Sequence, residues 1–163
     1  KEKQFNILIN VFLKISNNFA NWKLAIIGEG TERNKLEDLI NKANLQKKVI
    51  LPGKMDNLSE WYNNSKIFIL CSKYEGFPNV LLEAMAHSLP SISLDCDTGP
   101  RDIIINGING FLVDENNASD GLYEKTVSLI KSKDLRSKFS KNAIEVREKY
   151  SIEKIEKNWR NSF

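Results

Sequence analysis

The chain has 163 residues and a nearly even charge balance, with 24 Lys and Arg against 21 Asp and Glu. A net charge of +3, without a cluster of Arg and aromatic residues, argues against a nucleic-acid-binding protein. No apolar run approaches the ~20 residues of a membrane span, and no signal peptide is recognisable. Cys71 and Cys96 stand in dissimilar contexts, which indicates no disulfide framework and favours a reducing compartment.

Helices and strands are predicted to alternate along the chain. Apolar residues at helical spacing and short apolar runs bounded by Gly or Pro distinguish the two. The predicted helices are 3–19, 31–43 with Thr31 as N-cap, 58–64, 79–87, a turn at 100–105, 120–131, 133–149 and 152–161. The predicted strands are 22–27, 48–51, 67–71, 90–95 and 110–113. Because these strands are apolar throughout, we expect an α/β fold with a parallel sheet and helices on both faces.

Ligands of open α/β sheets bind beyond the carboxyl ends of the strands, so we expect the ligand site at that edge of the predicted sheet. Gly28, Gly53, Glu75 and Asp95 each follow a predicted strand. We therefore expect these four residues at one edge of the domain.

Segment 72–86 carries the most informative pattern. It places Glu75 and Glu83 on either side of a loop that contains Gly76 and Pro78. Pro is well suited to the first turn of the helix that follows. The start of that helix offers unpaired backbone N–H groups and a positive dipole end, which together bind anions. A phosphate between two hydroxyl-binding carboxylates matches the shape of a sugar nucleotide.

This segment resembles the signature of retaining GT-B glycosyltransferases of family four, also called group 1, in which a Glu, seven residues and a second Glu close on the donor. Segments 24–30, 49–53, 99–103 and 106–113 are similar to family segments in the expected order. The resemblance implies a Rossmann-like domain over residues 1–163, the donor-binding C-terminal half of a GT-B fold. It also implies that the first strand of the domain and the N-terminal acceptor half lie outside this chain.

The resemblance also implies roles for individual residues. Glu83 would accept hydrogen bonds from both ribose hydroxyls, and Glu75 would contact hydroxyls of the transferred sugar. Lys3 would hold the diphosphate, a task that suits a compact ammonium. Catalysis would thus depend on Glu75 and Lys3. The implied donor-binding positions are Gly28, Gly30, Gly53, Met55, Gly76, Phe77, Pro78, Asn79, Val80 and Glu83.

Structural alternatives exist for several of these residues. A Glu near a helix start is favourable without any ligand. The turn at Gly28 lacks the third glycine of a dinucleotide fingerprint, because Arg33 stands in its place. Lys3 could be a solvated residue near a terminus, and Arg33 could serve as a second cation.

Two further features suggest chemistry less strongly. Asp95 and Asp97 are spaced as in metal-binding acidic pairs, but two carboxylates supply too few ligands for a hard cation. We expect no metal. His87 is the only histidine, and a histidine without a partner acid is more often structural than a general base.

The predicted function is retaining transfer of a hexose or N-acetylhexosamine from a nucleoside diphosphate sugar, with UDP as the expected nucleotide. The acceptor would be a glycan or a lipid-linked sugar in bacterial capsule or lipopolysaccharide synthesis. We expect no cofactor besides the donor, a cytoplasmic location with at most peripheral contact with the inner face of the membrane, and no nucleic-acid partner. Two alternatives stay open: half of a sugar-nucleotide epimerase, and a non-catalytic Rossmann-like binding module.

Overall fold

The computed structural model describes residues 2–154, which alternate between helices and strands. The helices are α1 (Phe5–Asn18), α2 (Arg33–Lys42), α3 (Ser59–Asn64), α4 (Asn79–Ala86), α5 (Pro100–Ile103), α6 (Ala118–Lys131), α7 (Lys133–Ala143) and α8 (Val146–Lys149). The strands are β1 (Leu24–Ile27), β2 (Val49–Gly53), β3 (Phe68–Leu70), β4 (Ser91–Leu94) and β5 (Gly110–Val113). A short 3₁₀ turn at Glu115–Asn117 leads into α6.

Strand pairing is parallel throughout, as the apolar strands predicted. β1 pairs with β2, and β4 lies between β3 and β5. All four residues of β4 are buried, including Ser91 and Ser93, whose hydroxyls donate to nearby backbone carbonyls. A strand covered on both faces tolerates such hydroxyls because each one has a hydrogen-bond partner.

Three apolar clusters hold the helices against these strands, and the smallest contains Tyr62, Ala84 and Leu89. The largest lies under the amphipathic α1, which packs along α6 and buries Leu8, Ile9, Val11, Phe12 and Ile15. The second lies under α4, where Leu81 and Met85 are fully buried. Burying each of these Leu, Ile, Val, Phe or Met side chains stabilises the fold by about 1.5–3 kcal/mol. None of the helices between residues 2 and 154 has the length and apolar character to cross a membrane.

Cys71 and Cys96 are both free and buried. Burial raises the pKa of the Cys71 thiol to about 12, so this group behaves as a small apolar side chain at neutral pH.

The predicted N-cap at Thr31 is wrong. Helix α2 begins at Arg33 after Glu32, and no side chain caps it. The N–H of Arg33 donates to Gly30 O at 3.1 Å, which closes a turn across Thr31 and keeps it outside the helix.

Strand β2 runs two residues beyond its predicted end at 51, through Pro52 and Gly53. Pro52 is tolerated because β2 pairs with only one described strand, so no ladder N–H is needed there.

The predicted single helix over 133–149 is interrupted. Helix α7 ends at Ala143 and α8 begins at Val146. Glu145 N–H donates to Asn142 O, a tighter i to i−3 bond, and the resulting twist buries both Ala143 and Val146 against α4. Of the helix predicted over 152–161, residues 152–154 are helical, and the remainder lies outside the described residues.

Candidate functional site

An ion pair joins the two residues that the sequence predicts to be catalytic. Lys3 Nζ lies 2.7 Å from Glu75 Oε1, at the carboxyl end of β3. The Glu75 side chain is only 12% exposed, whereas that of Lys3 is 53% exposed. Backbone contacts hold Lys3 in place, since Lys73 N–H donates to Glu2 O at 2.8 Å and Cys71 Sγ donates to Lys3 O at 3.0 Å. These contacts fix the backbone of residues 2 and 3 beside Glu75, while about half of the Lys3 side chain stays exposed.

The loop after Glu75 leaves part of its backbone uncovered. Gly76 is exposed, and no atom lies within 4 Å of the place where a Cβ would stand. Pro78 occupies the N-cap of α4, so the positive end of this helix faces the loop. Fewer backbone N–H groups are available to a ligand at the start of α4 than the sequence predicted. Pro78 has no N–H, and Asn79 N–H already donates to Phe77 O at 3.0 Å.

Residues 98–99, just before α5, pack against this loop. Thr98 Oγ1 donates a hydrogen bond to the backbone oxygen of Glu75. Gly99 has φ of 89°, and a Cβ there would lie 2.5 Å from Pro78 Cδ and 2.7 Å from Gly76 O. Only glycine fits this position. The sequence analysis assigned no role to Thr98, and Gly99 was noted only as the start of the family-like segment 99–103.

Glu83 is held by a tyrosine that the sequence analysis did not single out. It lies on the exposed side of α4, and its Oε2 accepts a hydrogen bond of 3.2 Å from the Tyr62 hydroxyl on α3. Burial, and then the negative charge of Glu83, raise the pKa of Tyr62. The phenol therefore stays a neutral donor. No motif around Tyr62 could have revealed this contact, since α3 and α4 meet only in the folded chain.

The two glycine loops predicted to receive the nucleotide lie together. Gly28 N–H donates to Gly53 O at 2.9 Å, and both residues have positive φ values, 133° and 86°. A Cβ on Gly53 would lie 2.8 Å from Glu29 Oε1, while the space around Gly30 is open. Met55 follows Gly53 and is 37% exposed. The backbone at Gly28 and Gly30 is therefore uncovered, whereas Glu29 covers Gly53.

Arg33 lies beside the Gly53 turn, where a Cβ on Gly53 would lie 3.9 Å from its guanidinium. Its guanidinium forms ion pairs with Glu29 and Glu37, and it donates to Leu51 O at 2.9 Å. These contacts tie the start of α2 to β2. The role of Arg33 as a second cation stays a prediction.

The remaining polar candidates have structural partners. Arg101 Nε donates to Asp95 Oδ1 at 2.9 Å, which ties α5 to the end of β4. His87 Nδ1 lies 2.9 Å from Asn63 Oδ1, so the histidine links α4 to α3. Across residues 2–154, no three His, Cys, Asp or Glu side chains group as a metal site would require. The expectation that no metal is needed stays a prediction.

A cavity of about 680 Å³ lies between β1 and β3. Its walls are mainly apolar side chains from these strands and from helices on both sides, with Lys3 and Val80 at its margin. Glu75, Glu83 and the two glycine loops do not line it. Lys3 and Val80 are predicted donor-site residues, so the cavity adjoins the predicted donor-binding surface at these two residues.

Comparison with known proteins places this geometry in a family. The amylovoran biosynthesis glycosyltransferase AmsD of Erwinia amylovora is 34% identical over 159 residues, covering 97% of this chain and 44% of AmsD. S. aureus TarM, solved with fondaparinux, alpha-GlcNAc-glycerol and UDP, has a TM-score of 0.91 at 30% identity, covering 99% of this chain and 33% of TarM. The C-terminal domain of LpcC from Francisella tularensis has a TM-score of 0.80 at 27% identity, covering 91% of this chain and 80% of that domain.

The chain thus spans less than half the length of AmsD, and most of an isolated C-terminal domain. Residues 1–146 match the family model described as glycosyl transferases group 1. Together with the parallel α/β architecture shared with TarM, this match shows that the chain belongs to the group 1 glycosyltransferases of the GT-B fold.

Proposed function

We propose that this chain is the donor-binding domain of a retaining glycosyltransferase that moves a hexose or N-acetylhexosamine from a UDP-sugar to a hydroxyl group. The contact between Lys3 and Glu75, 2.7 Å apart beside the uncovered Gly76, carries the proposal. An ammonium suits the diphosphate, and a carboxylate suits sugar hydroxyls, which donate to it. A donor spanning the bond between sugar and diphosphate needs these two groups side by side.

In the proposed mechanism, the donor replaces the ion pair with two new contacts. The ammonium of Lys3 donates to the diphosphate, and Glu75 accepts from hydroxyls of the sugar. As the bond from the anomeric carbon to the diphosphate breaks, Lys3 and the N-terminus of α4 stabilise the charge on the leaving group. The acceptor oxygen bonds the anomeric carbon on the face that the diphosphate leaves, and its proton passes to the departing diphosphate oxygen.

Similar proteins support the choice of donor and acceptor class. AmsD is named for amylovoran biosynthesis, and the TarM structure contains UDP and a GlcNAc-bearing glycerol. We extend this to a UDP-sugar donor and to a glycan or lipid-linked acceptor of a surface polysaccharide. The named relatives are glycosyltransferases, which favours this activity over an epimerase or a non-catalytic module. The cytoplasmic location and the independence from metal remain predictions.

The described strands form two sheets, β1 with β2 and β3 to β5. We propose further that an upstream segment of a longer polypeptide supplies a strand between these two sheets and the acceptor-binding half. The 680 Å³ cavity between β1 and β3 supports this, because each of these strands pairs on one side only among the described strands. Residues 2 and 3 contact Lys73 and Cys71 just beyond β3. A strand that leads into residue 2 through the cavity would run parallel to β3.

Nucleotide binding tests the donor-domain assignment. UDP, GDP and ADP are titrated into the chain by calorimetry, with backbone amide shifts as a second readout. We expect UDP to bind and to perturb residues 75–83. If no nucleotide binds at millimolar concentration, the titration is repeated on a polypeptide extended upstream, and failure there as well rejects the assignment.

Turnover tests the proposed division between two halves. We expect the chain alone to transfer no sugar, because the reacting centre forms only when both halves close on the donor. The extended polypeptide should release UDP from a UDP-sugar in the presence of acceptor. Sugar transfer by the chain alone would contradict the second part of the proposal.

A further inference from the structure

Tyr62 is the polar partner of Glu83. Its hydroxyl lies 3.2 Å from Glu83 Oε2, while the tyrosine as a whole is only 8% exposed. Glu83 itself is exposed, so its carboxylate has one buried neighbour and one face toward solvent. A long side chain on a helix surface samples several rotamers unless a contact selects one of them. The Tyr62 hydroxyl supplies such a contact from the neighbouring helix α3.

The Tyr62 ring is fixed by its neighbours. It packs edge-on against Phe68, with 6.2 Å between ring centroids, and lies tilted by 34° against the His87 ring at 5.3 Å. His87 is in turn linked to Asn63, the residue after Tyr62, through the 2.9 Å contact between Nδ1 and Oδ1. The end of α4 and the end of α3 are thereby joined around one ring, and the single histidine of the chain has a structural part in that junction.

We propose that Tyr62 is a positioning residue for ribose recognition. It holds the Glu83 carboxylate in the orientation in which the sites that remain on its oxygens accept hydrogen bonds from the ribose hydroxyls. This inference rests on the proposed function, in which Glu83 meets the ribose. A carboxylate has about four lone-pair sites, so one bond from Tyr62 leaves room for two hydroxyl donors.

A neutral donor suits this task better than a cation would. A Lys or Arg in this place would compete with the ribose for Glu83, whereas a phenol leaves the carboxylate charged and accepting. Restricting the carboxylate before the ligand arrives also reduces the entropy that is lost on binding. Tyr62 would therefore strengthen the ribose contact without touching the nucleotide.

The test compares ligands that differ only in the groups that Glu83 meets. UDP and 2′,3′-dideoxy-UDP are titrated by calorimetry into the chain, Tyr62→Phe, Glu83→Ala and the double variant. We expect Tyr62→Phe to weaken UDP binding by about tenfold, the scale of one hydrogen bond to a charged group, and to leave the dideoxy ligand unchanged. In the Glu83→Ala background the Tyr62 change should have no further effect, because the two residues act as a unit.

Tyr123→Phe is the matched control, because Tyr123 is a partly buried tyrosine on α6 under Lys14. It should bind both ligands like the unmodified chain. Equal losses for UDP and dideoxy-UDP in Tyr62→Phe would mean a merely structural role and would overturn the inference. So would unchanged UDP binding in that variant.

A measurement on the unmodified chain keeps the inference testable if Tyr62→Phe does not fold. The ¹³Cζ resonance of Tyr62 should move on addition of UDP and stay in place on addition of dideoxy-UDP. A response to neither ligand would overturn the positioning role. If UDP and dideoxy-UDP bind equally and Glu83→Ala is silent, the ribose role of Glu83 fails, and that result separates failure of the proposed function from failure of Tyr62 alone.

Discussion

Glu75 precedes the loop that leads into α4 and Glu83 lies within α4, and the surroundings of the two carboxylates differ. Glu75 is nearly buried and contacts a cation, Lys3, at 2.7 Å. Glu83 is exposed and contacts a neutral phenol, that of Tyr62, at 3.2 Å. The backbone of Glu75 is also held by Thr98, whereas Glu83 lies within regular helix.

This difference indicates different behaviour on ligand binding. The charges of Lys3 and Glu75 neutralise each other in the unliganded chain, so a charged ligand has to break that pair. Glu83 contacts a phenol rather than a cation, so hydroxyl donors can bind the carboxylate sites that Tyr62 leaves open. Within the proposed donor site, the Glu75 carboxylate is suited to an exchange of partners, and the Glu83 carboxylate is suited to rigid recognition.

The largest expected effect comes from disrupting the contact between Gly99 and the loop that follows Glu75. We expect Gly99→Ala to lower the free energy of unfolding by about 2–3 kcal/mol, because it adds a positive-φ strain and a clash with Pro78 and Gly76. Urea unfolding measures it. Gly107→Ala is the matched control, since Gly107 also has positive φ, 76°, but open space around it. It should cost about 1 kcal/mol, the strain alone. Equal losses would show that the loop contact contributes nothing.

Removal of the Glu83 carboxylate tests the proposed recognition of the ribose. We expect Glu83→Ala to weaken UDP binding by about 1–3 kcal/mol, because two hydroxyl groups lose a charged acceptor. Calorimetry with UDP measures the loss. Glu124→Ala, an exposed change on α6, should leave the affinity as it was. An unchanged affinity in Glu83→Ala would remove this residue from the site.

Removal of the first carboxylate should discriminate between ligands. We expect Glu75→Ala to weaken UDP-sugar binding by about 1–2 kcal/mol, while UDP alone changes less. UDP does not reach the hydroxyl-binding carboxylate, and the loss of Glu75 leaves Lys3 unpaired and available to the diphosphate. Paired titrations of UDP and a UDP-sugar measure the difference. A loss of the same size for both ligands would contradict the assigned role.

The smallest effect concerns pH, and it is absent near neutrality. Burial and the charge of Glu83 raise the pKa of Tyr62 above its usual value near 10 in the unfolded chain. The neutral phenol therefore contributes stability that is fully present below about pH 10 and is lost as the pH rises further. Between pH 8 and 11, the free energy of unfolding should decrease more steeply with pH for the unmodified chain than for Tyr62→Phe. Parallel curves would mean that the phenol is not buried against Glu83.

Much of the fold could be predicted because its determinants are local. The apolar strands and the periodicity of α1 predicted five parallel strands and their order along the chain, and strand 110–113 has the predicted bounds. The errors arose where a nearby contact outweighed propensity. Thr31 lost the N-cap position to a turn closed by Arg33, and the helix over 133–149 bends so that Ala143 and Val146 both reach the core.

The sequence by itself determined the family, the order of the elements and the two carboxylates, because the spacing of Glu75, Gly76, Pro78 and Glu83 lies within one continuous segment. Only the tertiary structure decided how each carboxylate is held. Lys3 and Glu75 are separated by 72 positions and Tyr62 and Glu83 by 21, and contacts at such distances depend on how strands and helices pack. Residue types specify which hydrogen bonds are chemically available, but the packing of β3, α3 and α4 selects the pairs that form.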